Sequence, residues 1–305
     1  MLADAQLLRS GTSSAVYKCP IKSSDAYVCL KEVCAPRCSV SKDIREYSTL
    51  KLLQSYHGRP LQIIQLLGYR TDAASNAVNH VIVLELCEFS LEDMIRGLKS
   101  AGPSHTRSTQ SRLSLYEVSA ITNALGSALV FLESVGIVHN DIKSSNILWK
   151  RSPGDGIWKL ADFGSARSIP FCNKKKRMGT LTTSSPELIM GHTEIGFKSD
   201  VWSLGCVLWE SVHLILPFDF NDLHAFQNGY EDSSKFPVQQ LIRPPLSKSK
   251  ISRQIISKDI LEHMLQPAIA KRCDARQSFE LVKLIDTFKC DEHLESHISV
   301  RARDI

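Results

Sequence analysis

The sequence predicts an α+β fold in two lobes, with a small and mostly β lobe followed by a larger and mostly helical lobe. Up to about residue 86, the chain consists largely of short β-branched or aromatic runs between turn-prone segments. From Leu91 onward, apolar residues recur at three- and four-residue spacing, which is typical of helices. The chain has 305 residues, of which 43% are hydrophobic, and this is enough for a core in each lobe.

The first lobe is predicted to contain four strands and one helix. The helix is expected around residues 44–53, because Ile44, Tyr47, Leu50 and Leu53 follow one another at helical spacing. The strands are expected at 16–19, 26–30, 63–67 and 81–84, and the first two are separated by the turn-prone segment 22–25.

The second lobe is predicted to be helical. Helices are expected at 91–98, 116–135 and about 199–213, and the polar segment 102–109 is expected to form a surface loop between two of them. A β lobe joined to a helical lobe leaves a cleft at the junction, where small-molecule sites are common.

Composition and charge narrow the function classes. The net charge is +5, and its densest run, Lys174–Arg177, has no aromatic residues between its charges, so a solvated loop is expected and a nucleic-acid partner is not. The sequence has no run of eighteen apolar residues, and Met1–Gln6 lacks the charge and apolar pattern of a leader. We therefore expect neither a membrane span nor a secretory signal.

The nine cysteines do not suggest a disulfide framework. Their number is odd and they are spread from Cys19 to Cys290, which favours reduced thiols and a cytoplasmic or nuclear location. Cys29, Cys34 and Cys38 lie close in sequence but lack paired metal-ligand spacing, so free thiols are a better interpretation than a zinc site.

Two short strings carry the chemistry, His139–Asn146 and, further along, Asp162-Phe163-Gly164. Together they supply two carboxylates, a lysine and an amide, which are the groups needed to accept a hydroxyl proton, neutralise a moving phosphoryl group and hold a divalent metal. The alternative, a polar loop followed by an ordinary turn at a strand end, is disfavoured because two such strings rarely occur in this order by chance.

The two strings resemble the catalytic loop and the metal-binding turn of eukaryotic protein kinases of the serine/threonine type. The resemblance covers about residues 8–288. It implies a single kinase domain over 1–290, with a first lobe at about 1–86, a second lobe at about 87–290 and a tail at 291–305. It also implies ATP and Mg²⁺ or Mn²⁺ as cofactors.

The resemblance assigns roles in phosphoryl transfer to four residues of these strings. Asp141 would be the base that orients the substrate hydroxyl, and Lys143 would be the accompanying lysine of serine/threonine kinases. Asn146 would bind one metal ion, and Asp162 would chelate the ion that bridges the β- and γ-phosphates.

The resemblance also predicts how the nucleotide phosphates are held. Lys31, at the end of a predicted strand, would contact the phosphates, and Glu46 in the following helix would fix the lysine. Taken alone, Lys31 could equally be an exposed strand lysine, and Glu32 and Asp43 are rival acids for the ion pair.

The glycine-rich loop departs from the family pattern. Alignment on Val16 places Arg9, Gly11 and Ser14 at the three glycine positions, so only Gly11 is retained. Glycines let backbone N–H groups approach phosphate closely, and we expect their loss to weaken ATP affinity. Arg9 could contact a phosphate or point to solvent.

The adenine site is implied by the alignment. Leu84 would lie behind the adenine, and the backbone of Glu85 and Cys87 would hydrogen-bond its edge. The residues that would sandwich the ring are Val16, Cys29 and Leu148, which are also ordinary core positions.

The segment from Asp162 to Glu187 resembles the activation segment of the family. Thr180 would hydrogen-bond both Asp141 and Lys143. Glu187 would form a buried ion pair with Arg276, with Arg272 as the rival partner. Further along, Asp200 would hold the backbone of the catalytic loop.

Asn140 stands where most kinases place an arginine that binds a phosphorylated activation segment. An asparagine cannot make that charged, bidentate contact. We therefore predict that activity does not depend strongly on phosphorylation of this segment, although Arg167 or the run Lys174–Arg177 could substitute.

The resemblance implies an ATP-dependent serine/threonine kinase whose partner is a protein substrate. The helix that carries Glu46 resembles that of cyclin-dependent kinases. With the altered glycine loop, the chain is similar to the small fungal CDK-activating kinases, which act without a cyclin. This implies a cell-cycle role, with a cyclin-dependent kinase as a substrate. The alternatives are a pseudokinase scaffold with little catalysis and, less favoured because 180–187 resembles a peptide-docking segment, a small-molecule kinase.

Overall fold

The computed structural model describes most of the chain, namely residues 5–10, 14–22, 24–36, 42–73, 77–100, 112–153, 156–169, 179–191, 196–219, 221–223, 236–243 and 256–287. Four features of the sequence analysis, Gly11, the loop 102–109, the run Lys174–Arg177 and the tail 291–305, lie outside these residues.

The first lobe is built on a five-stranded antiparallel sheet. Its strands are β1 (Gln6–Ser10), β2 (Ser14–Pro20), β3 (Tyr27–Pro36), β4 (Leu66–Ala73) and β5 (Ala77–Glu85), and their order across the sheet is β1-β2-β3-β5-β4. The predicted strands at 16–19, 26–30 and 81–84 are confirmed. The expected strand at 63–67 is wrong in extent, because β4 begins at Leu66 and Ile63 makes only an isolated bridge to Leu160 in the second lobe.

One helix, α1 (Lys42–Gln54), packs on this sheet. Leu50 and Leu53 on α1 are almost completely buried and join the core that contains Ile82 of β5. The register pairs Ile82 with Lys31 of β3, so these two residues point to the same face of the sheet. The helix is therefore packed against the face that carries Lys31.

The second lobe is mainly helical, as predicted. Its main helices are α2 (Leu91–Ser100), α3 (Leu115–Ser134), α5 (Phe197–His213) and α7 (Ala275–Thr287), with short helices α4 (Pro186–Ile189) and α6 (Val238–Leu241) and a π-helical turn at Ile260–Met264. The α3 helix starts with a capping box in which Ser114 and Glu117 satisfy each other's backbone N–H groups.

The α3 and α5 helices form the centre of this lobe. The α3 helix is the one helix of the described residues that is long and apolar enough to cross a bilayer by length and composition. More than half of it is buried against its neighbours, which is the setting of a core helix. The residues of α5 from Ser199 to His213 are all buried.

Short strands between the lobes hold the loops that carry the chemistry. The strands β6 (Phe89–Ser90), β8 (Ile147–Arg151) and β9 (Gly156–Leu160) form one small sheet, and β7 (Ile137–Val138) pairs with β10 (Arg167–Ser168). Leu160 on β9 also exchanges backbone hydrogen bonds with Gln62 and Ile64 of the first lobe, at 2.6 and 3.0 Å. The cleft between the lobes is therefore bounded by strands that contact both of them, and the two-lobed α+β fold is confirmed.

Candidate active site

The lysine of β3 lies between two acids at the back of the cleft. The Nζ of Lys31 donates to Glu46 Oε2 at 2.6 Å and to Asp162 Oδ1 at 3.2 Å. Glu46 is only 1% exposed, so this pair is shielded from solvent. Of the rival acids, Glu32 follows Lys31 on the strand and therefore points to the opposite face. The structure thus joins Lys31 with Glu46.

Asp162 occupies a turn that directs its carboxylate into the cleft. Its backbone is left-handed (φ 63°, ψ 70°), and its side chain accepts the N–H of Gly164 at the start of a 3₁₀ turn, Phe163–Ser165. Burial alone would raise the pKa of the Asp162 carboxyl, but the charge and hydrogen bond of Lys31 outweigh it and the pKa is lowered. Asp162 is therefore held as a carboxylate, the form that binds a metal ion.

The catalytic loop brings three side chains into a closed triangle. Thr180 Oγ1 donates to Asp141 Oδ1 at 2.8 Å, and Lys143 Nζ donates to Thr180 Oγ1 at 2.7 Å. Lys143 Nζ also lies 3.0 Å from Asp141 Oδ2. The two contacts of Thr180 expected from the sequence are thus present, and they link the activation segment to the catalytic loop.

Asn146 completes the floor of the cleft. It lies in a 3₁₀ turn, Ser144–Asn146, and its amide nitrogen donates to the backbone oxygen of Asp141 at 2.8 Å and to Asp141 Oδ2 at 3.2 Å. Its backbone oxygen accepts from Ala161 N–H at 2.9 Å. The amide nitrogen of Asn146 is thus used inside the catalytic loop. The backbone bond places Asn146 next to the segment that leads into Asp162.

Asp200 supports the catalytic loop from below, as expected. Its carboxylate accepts the backbone N–H groups of His139 at 2.6 Å and Asn140 at 2.9 Å. Complete burial raises the pKa of Asp200 to about 7, although these two hydrogen bonds act in the opposite direction. The His139 ring contacts the backbone oxygen of Ala161 at 3.1 Å, which ties the catalytic loop to the segment before Asp162.

The cleft has a volume of about 390 Å³, within the usual range of small-molecule sites. Its lining includes every described residue that the alignment placed around the nucleotide: Val16, Cys29, Lys31, Leu84, Glu85, Cys87, Asn146, Leu148 and Asp162. Burial raises the thiol pKa of Cys29 to about 11 and that of Cys87 to about 12, so both side chains are neutral. The wall of the cleft thus includes two neutral thiols, and Cys87 belongs to the hinge, residues 85–88 between the lobes. Lys31 and Asp162 are charged groups at the back.

Arg9, at the first glycine position, lies at the mouth of the cleft. Its guanidinium is 3.5 Å from Glu92 on α2, and its side chain is 57% exposed. Such an exposed pair contributes little to stability. The departure from the glycine pattern therefore adds an arginine to the rim of the cleft and links the two lobes weakly.

Some of the groups that shape the site were missed by the sequence analysis. The Glu85 carboxylate is buried and receives Lys159 at 2.8 Å, Lys150 at 2.9 Å and the backbone N–H of Gln65 at 2.7 Å. In the sequence, Lys159 and Glu85 were visible as charged residues, but no sequence pattern indicates that they pair. This cluster anchors the hinge to the two strands below it.

Gly179 was also missed. Its φ is +88°, and a Cβ at this position would lie 2.4 Å from the backbone oxygen of Asn140. Only a glycine fits this conformation and this close approach. Its position directly before Thr180 was the signal in the sequence, and it allows the activation segment to approach the catalytic loop.

The expected ion pair between Glu187 and Arg276 is wrong. Glu187 pairs instead with Arg272 through two parallel contacts, at 2.7 and 3.0 Å, and both residues are 1% exposed. The reason is the start of α7 at Ala275, which places Arg276 on an exposed first turn. Arg272 lies in the preceding segment, beneath the N-terminal end of α5, where Ser199 also donates to Glu187 at 2.9 Å.

Comparisons with known proteins agree with this geometry. The family model described as "Protein kinase domain" matches residues 2–282. Cyclin-dependent kinase 9-A of Xenopus laevis is 26% identical over 212 residues, which cover 66% of this chain and 53% of that protein. The probable serine/threonine-protein kinase FMP48 of Saccharomyces cerevisiae is 30% identical over 226 residues, covering 68% of this chain and 58% of that protein.

The chain spans roughly half the length of these two relatives. The family match nevertheless extends over both lobes and over every site residue described above. The chain therefore belongs to the protein kinase family and is similar to its serine/threonine kinases of the cyclin-dependent type.

Proposed function

We propose that this chain is an active protein serine/threonine kinase that transfers the γ-phosphoryl group of ATP to a protein hydroxyl. The observation that carries the proposal is that Asn146, which lines the cleft holding the Glu46–Lys31–Asp162 ion pairs, contacts Asp141 of the Asp141–Lys143–Thr180 triangle. Phosphoryl transfer depends mainly on positioning and on electrostatic stabilisation, and both require such fixed charges.

Asp141 would receive the substrate hydroxyl. Thr180 donates to one oxygen of its carboxylate, and Lys143 and the amide nitrogen of Asn146 contact the other oxygen. A serine or threonine hydroxyl in this position would hydrogen-bond to Asp141 and transfer its proton to it. Lys143, at 3.0 Å from the same carboxylate, would neutralise the phosphoryl group as it moves.

The donor set in the cleft suits Mg²⁺. Asp162 supplies a carboxylate and Asn146 supplies an amide oxygen, which are the hard oxygen ligands that Mg²⁺ prefers. When bound, the ion neutralises charge on the phosphates. Lys31 would contact the phosphates, while Leu84 and the backbone of Glu85 and Cys87 would border the adenine.

A labelled-phosphate assay tests this function. The purified chain is incubated with γ-labelled ATP, Mg²⁺ and a mixture of serine- and threonine-containing proteins. We expect transfer by the wild type, and we expect Asp141→Asn to reduce the rate by about 10²-fold or more, because the carboxylate that accepts the proton is lost. Asp162→Asn should abolish transfer. Undiminished rates in both variants would overturn the assignment.

A nucleotide-binding scaffold is the second candidate, favoured by Arg9 at the rim and by Asn140 in the catalytic loop. The same preparation separates the two functions. A scaffold would show a rise in melting temperature with Mg²⁺ and ATP, but no transfer by the wild type.

For the substrate, we propose the activation segment of a cyclin-dependent kinase, acting in cell-cycle control in the cytoplasm or nucleus. The similarity to cyclin-dependent kinases supports this class of pathway. Equal amounts of a purified cyclin-dependent kinase and of a generic basic peptide are offered to the enzyme. Strong labelling of the peptide with none of the kinase would contradict the proposal.

A further inference from the structure

Three side chains connect α1 to strands β4 and β5 of the sheet. The ring of Tyr47 on α1 stacks on the ring of Tyr69 on β4, with centroids 3.9 Å apart and planes 12° from parallel. The Tyr69 hydroxyl is hydrogen-bonded to His80 Nδ1 on β5 at 2.6 Å, and these two rings are also stacked. We call this set the Tyr47–Tyr69–His80 brace.

The strand register explains why the brace faces α1. Tyr69 pairs with Ile82, and Thr71 pairs with His80, so Tyr69 and His80 are diagonal neighbours on one face of the sheet. On its other edge, β5 pairs with β3, and Ile82 lies opposite Lys31 there. Lys31 therefore belongs to the same face as Tyr69 and His80. The brace and the lysine therefore meet α1 on one surface.

The brace lies next in sequence to Glu46, which forms the ion pair with Lys31. Its Tyr47 directly follows Glu46 on α1. Other contacts hold the two ends of α1: Arg45 donates to the backbone oxygen of Gly164 at 3.3 Å, and Gln54 donates to that of Leu66 at 2.5 Å. His80 is 6% exposed, so the far end of the brace is fixed in the core. The aromatic stack thus adds a link from the turn of α1 that carries Glu46 to β4 and β5, beside the packing of Leu50 and Leu53 on the sheet.

We propose that Tyr69, held by His80 and stacked on Tyr47, is a positioning residue for phosphoryl transfer. It acts through α1, by keeping Glu46 where it pairs with Lys31, and it does not touch the reacting groups. The predicted effect of Tyr69 on the reaction rate rests on the proposed function. The predicted effect on the position of α1 rests on geometry alone.

A double-mutant cycle tests the kinetic consequence. Tyr69→Leu removes the stack and the hydrogen bond. It should lower kcat/KM about 10-fold, because the loss of a close aromatic pair is large enough for a change of this size. Tyr69→Phe keeps the stack and should have a smaller effect. Tyr27→Leu is the matched control, because Tyr27 is a half-exposed tyrosine at the start of β3 that lies under Lys18 instead of α1.

The decisive comparison uses the Glu46→Gln background. If Tyr69 acts through Glu46, adding Tyr69→Leu there should change kcat/KM by less than about twofold, because coupled residues are not additive. An equal factor in both backgrounds would overturn the proposal, since it would mean that Tyr69 contributes only general stability.

Hydrogen exchange tests the brace independently of activity. In the isolated chain, the amides of 45–54 should exchange about 10-fold faster in Tyr69→Leu than in the wild type, while those of α3 should not change. Tyr27→Leu should leave both regions unchanged. Equal exchange of α1 in wild type and Tyr69→Leu would overturn the brace. A wild type that transfers no phosphate would overturn the proposed function and leave this result valid.

Discussion

At the scale of single residues, two non-glycine positions with left-handed backbone lie at the centre of the site. Asn140 and Asp162 both have φ 63°. Asparagine and aspartate tolerate this conformation better than most residues, because their short polar side chains can hydrogen-bond locally. The Asn140 amide donates to the backbone oxygens of Val138 and Ser165, both at 3.4 Å, and Asp162 accepts from Gly164. The catalytic loop and the turn at Asp162 thus each have, at the left-handed position, a residue type that tolerates this backbone conformation.

The ion pair of Glu187 with Arg272 has a large predicted effect on stability. Arg272→Met would leave a buried carboxylate without its partner, and it should lower the free energy of unfolding by about 3–5 kcal/mol. Chemical denaturation at neutral pH measures this loss. Arg276→Met, at the exposed start of α7, is the control and should have little effect. Equal losses in the two variants would contradict the pairing.

The same pair also predicts a pH dependence. Burial would raise the pKa of Glu187, but the hydrogen bonds and charge of Arg272 lower it below its ordinary value. A lowered pKa in the folded state stabilises the protein above the unfolded pKa of about 4.3, and this contribution is lost as the pH falls further. The wild type should therefore lose more stability in acid than Glu187→Gln. Parallel pH profiles of the unfolding free energy would contradict this.

At the scale of elements, close helix packing explains one glycine of α3. A Cβ added at Gly126 would lie 2.4 Å from the ring of Phe279 on α7, with further contacts at 3.2 and 3.3 Å near the base of that side chain. The base of a side chain cannot move without its backbone, so the Phe279 ring would have to turn and α7 would have to shift by a few tenths of an ångström. A Cβ added at Gly97 on α2, by contrast, would have no contact within 4 Å.

These two glycines predict opposite effects of the same substitution. Gly97→Ala should stabilise the protein by about 0.5–1 kcal/mol, because alanine restricts the unfolded chain and favours a helix. Gly126→Ala should destabilise it by about 1–3 kcal/mol, because overpacking outweighs that gain. Thermal unfolding of both variants measures the two signs. A gain in stability for Gly126→Ala would contradict the close packing of α3 and α7.

At the scale of the whole molecule, buried contacts between the lobes define the cleft. The Glu85 carboxylate joins the hinge to β8 and β9 through Lys150 and Lys159. Leu160 of β9 shares backbone hydrogen bonds with Gln62 and Ile64 of the first lobe. The exposed contact of Arg9 with Glu92 at the rim adds little to this arrangement. The relative position of the lobes is therefore set at the back of the cleft and leaves the mouth accessible.

The activity of the whole enzyme is predicted not to depend strongly on phosphorylation of its activation segment. Asp200 and the inward amide of Asn140 already hold the catalytic loop, and Asn140 supplies no charge for a phosphate. Phosphatase treatment should therefore change kcat/KM by less than about twofold. Phosphate content measured by mass before and after treatment is the control. Loss of activity that is restored by rephosphorylation would contradict the prediction.

The sequence by itself determined the order of the lobes, most of the strands and helices, and the residues of the catalytic strings. Asp141, Lys143 and Asn146 lie within one short loop, so their proximity follows from chain geometry and needs no knowledge of distant contacts. The pairing of Lys31 with Glu46 was predicted from the resemblance to protein kinases, while the sequence left Glu32 and Asp43 as rival acids.

Only the tertiary structure decided which distant groups meet. In the structure, Glu187 pairs with Arg272 and not with Arg276. The Glu85 carboxylate contacts two lysines, and the ring of Tyr47 stacks on that of Tyr69, which is hydrogen-bonded to His80. Each of these contacts depends on where an element begins and on which faces pack together. Those features are set by the burial of the whole core, because many weak packing interactions, and no local sequence pattern, determine which side chains share a buried space.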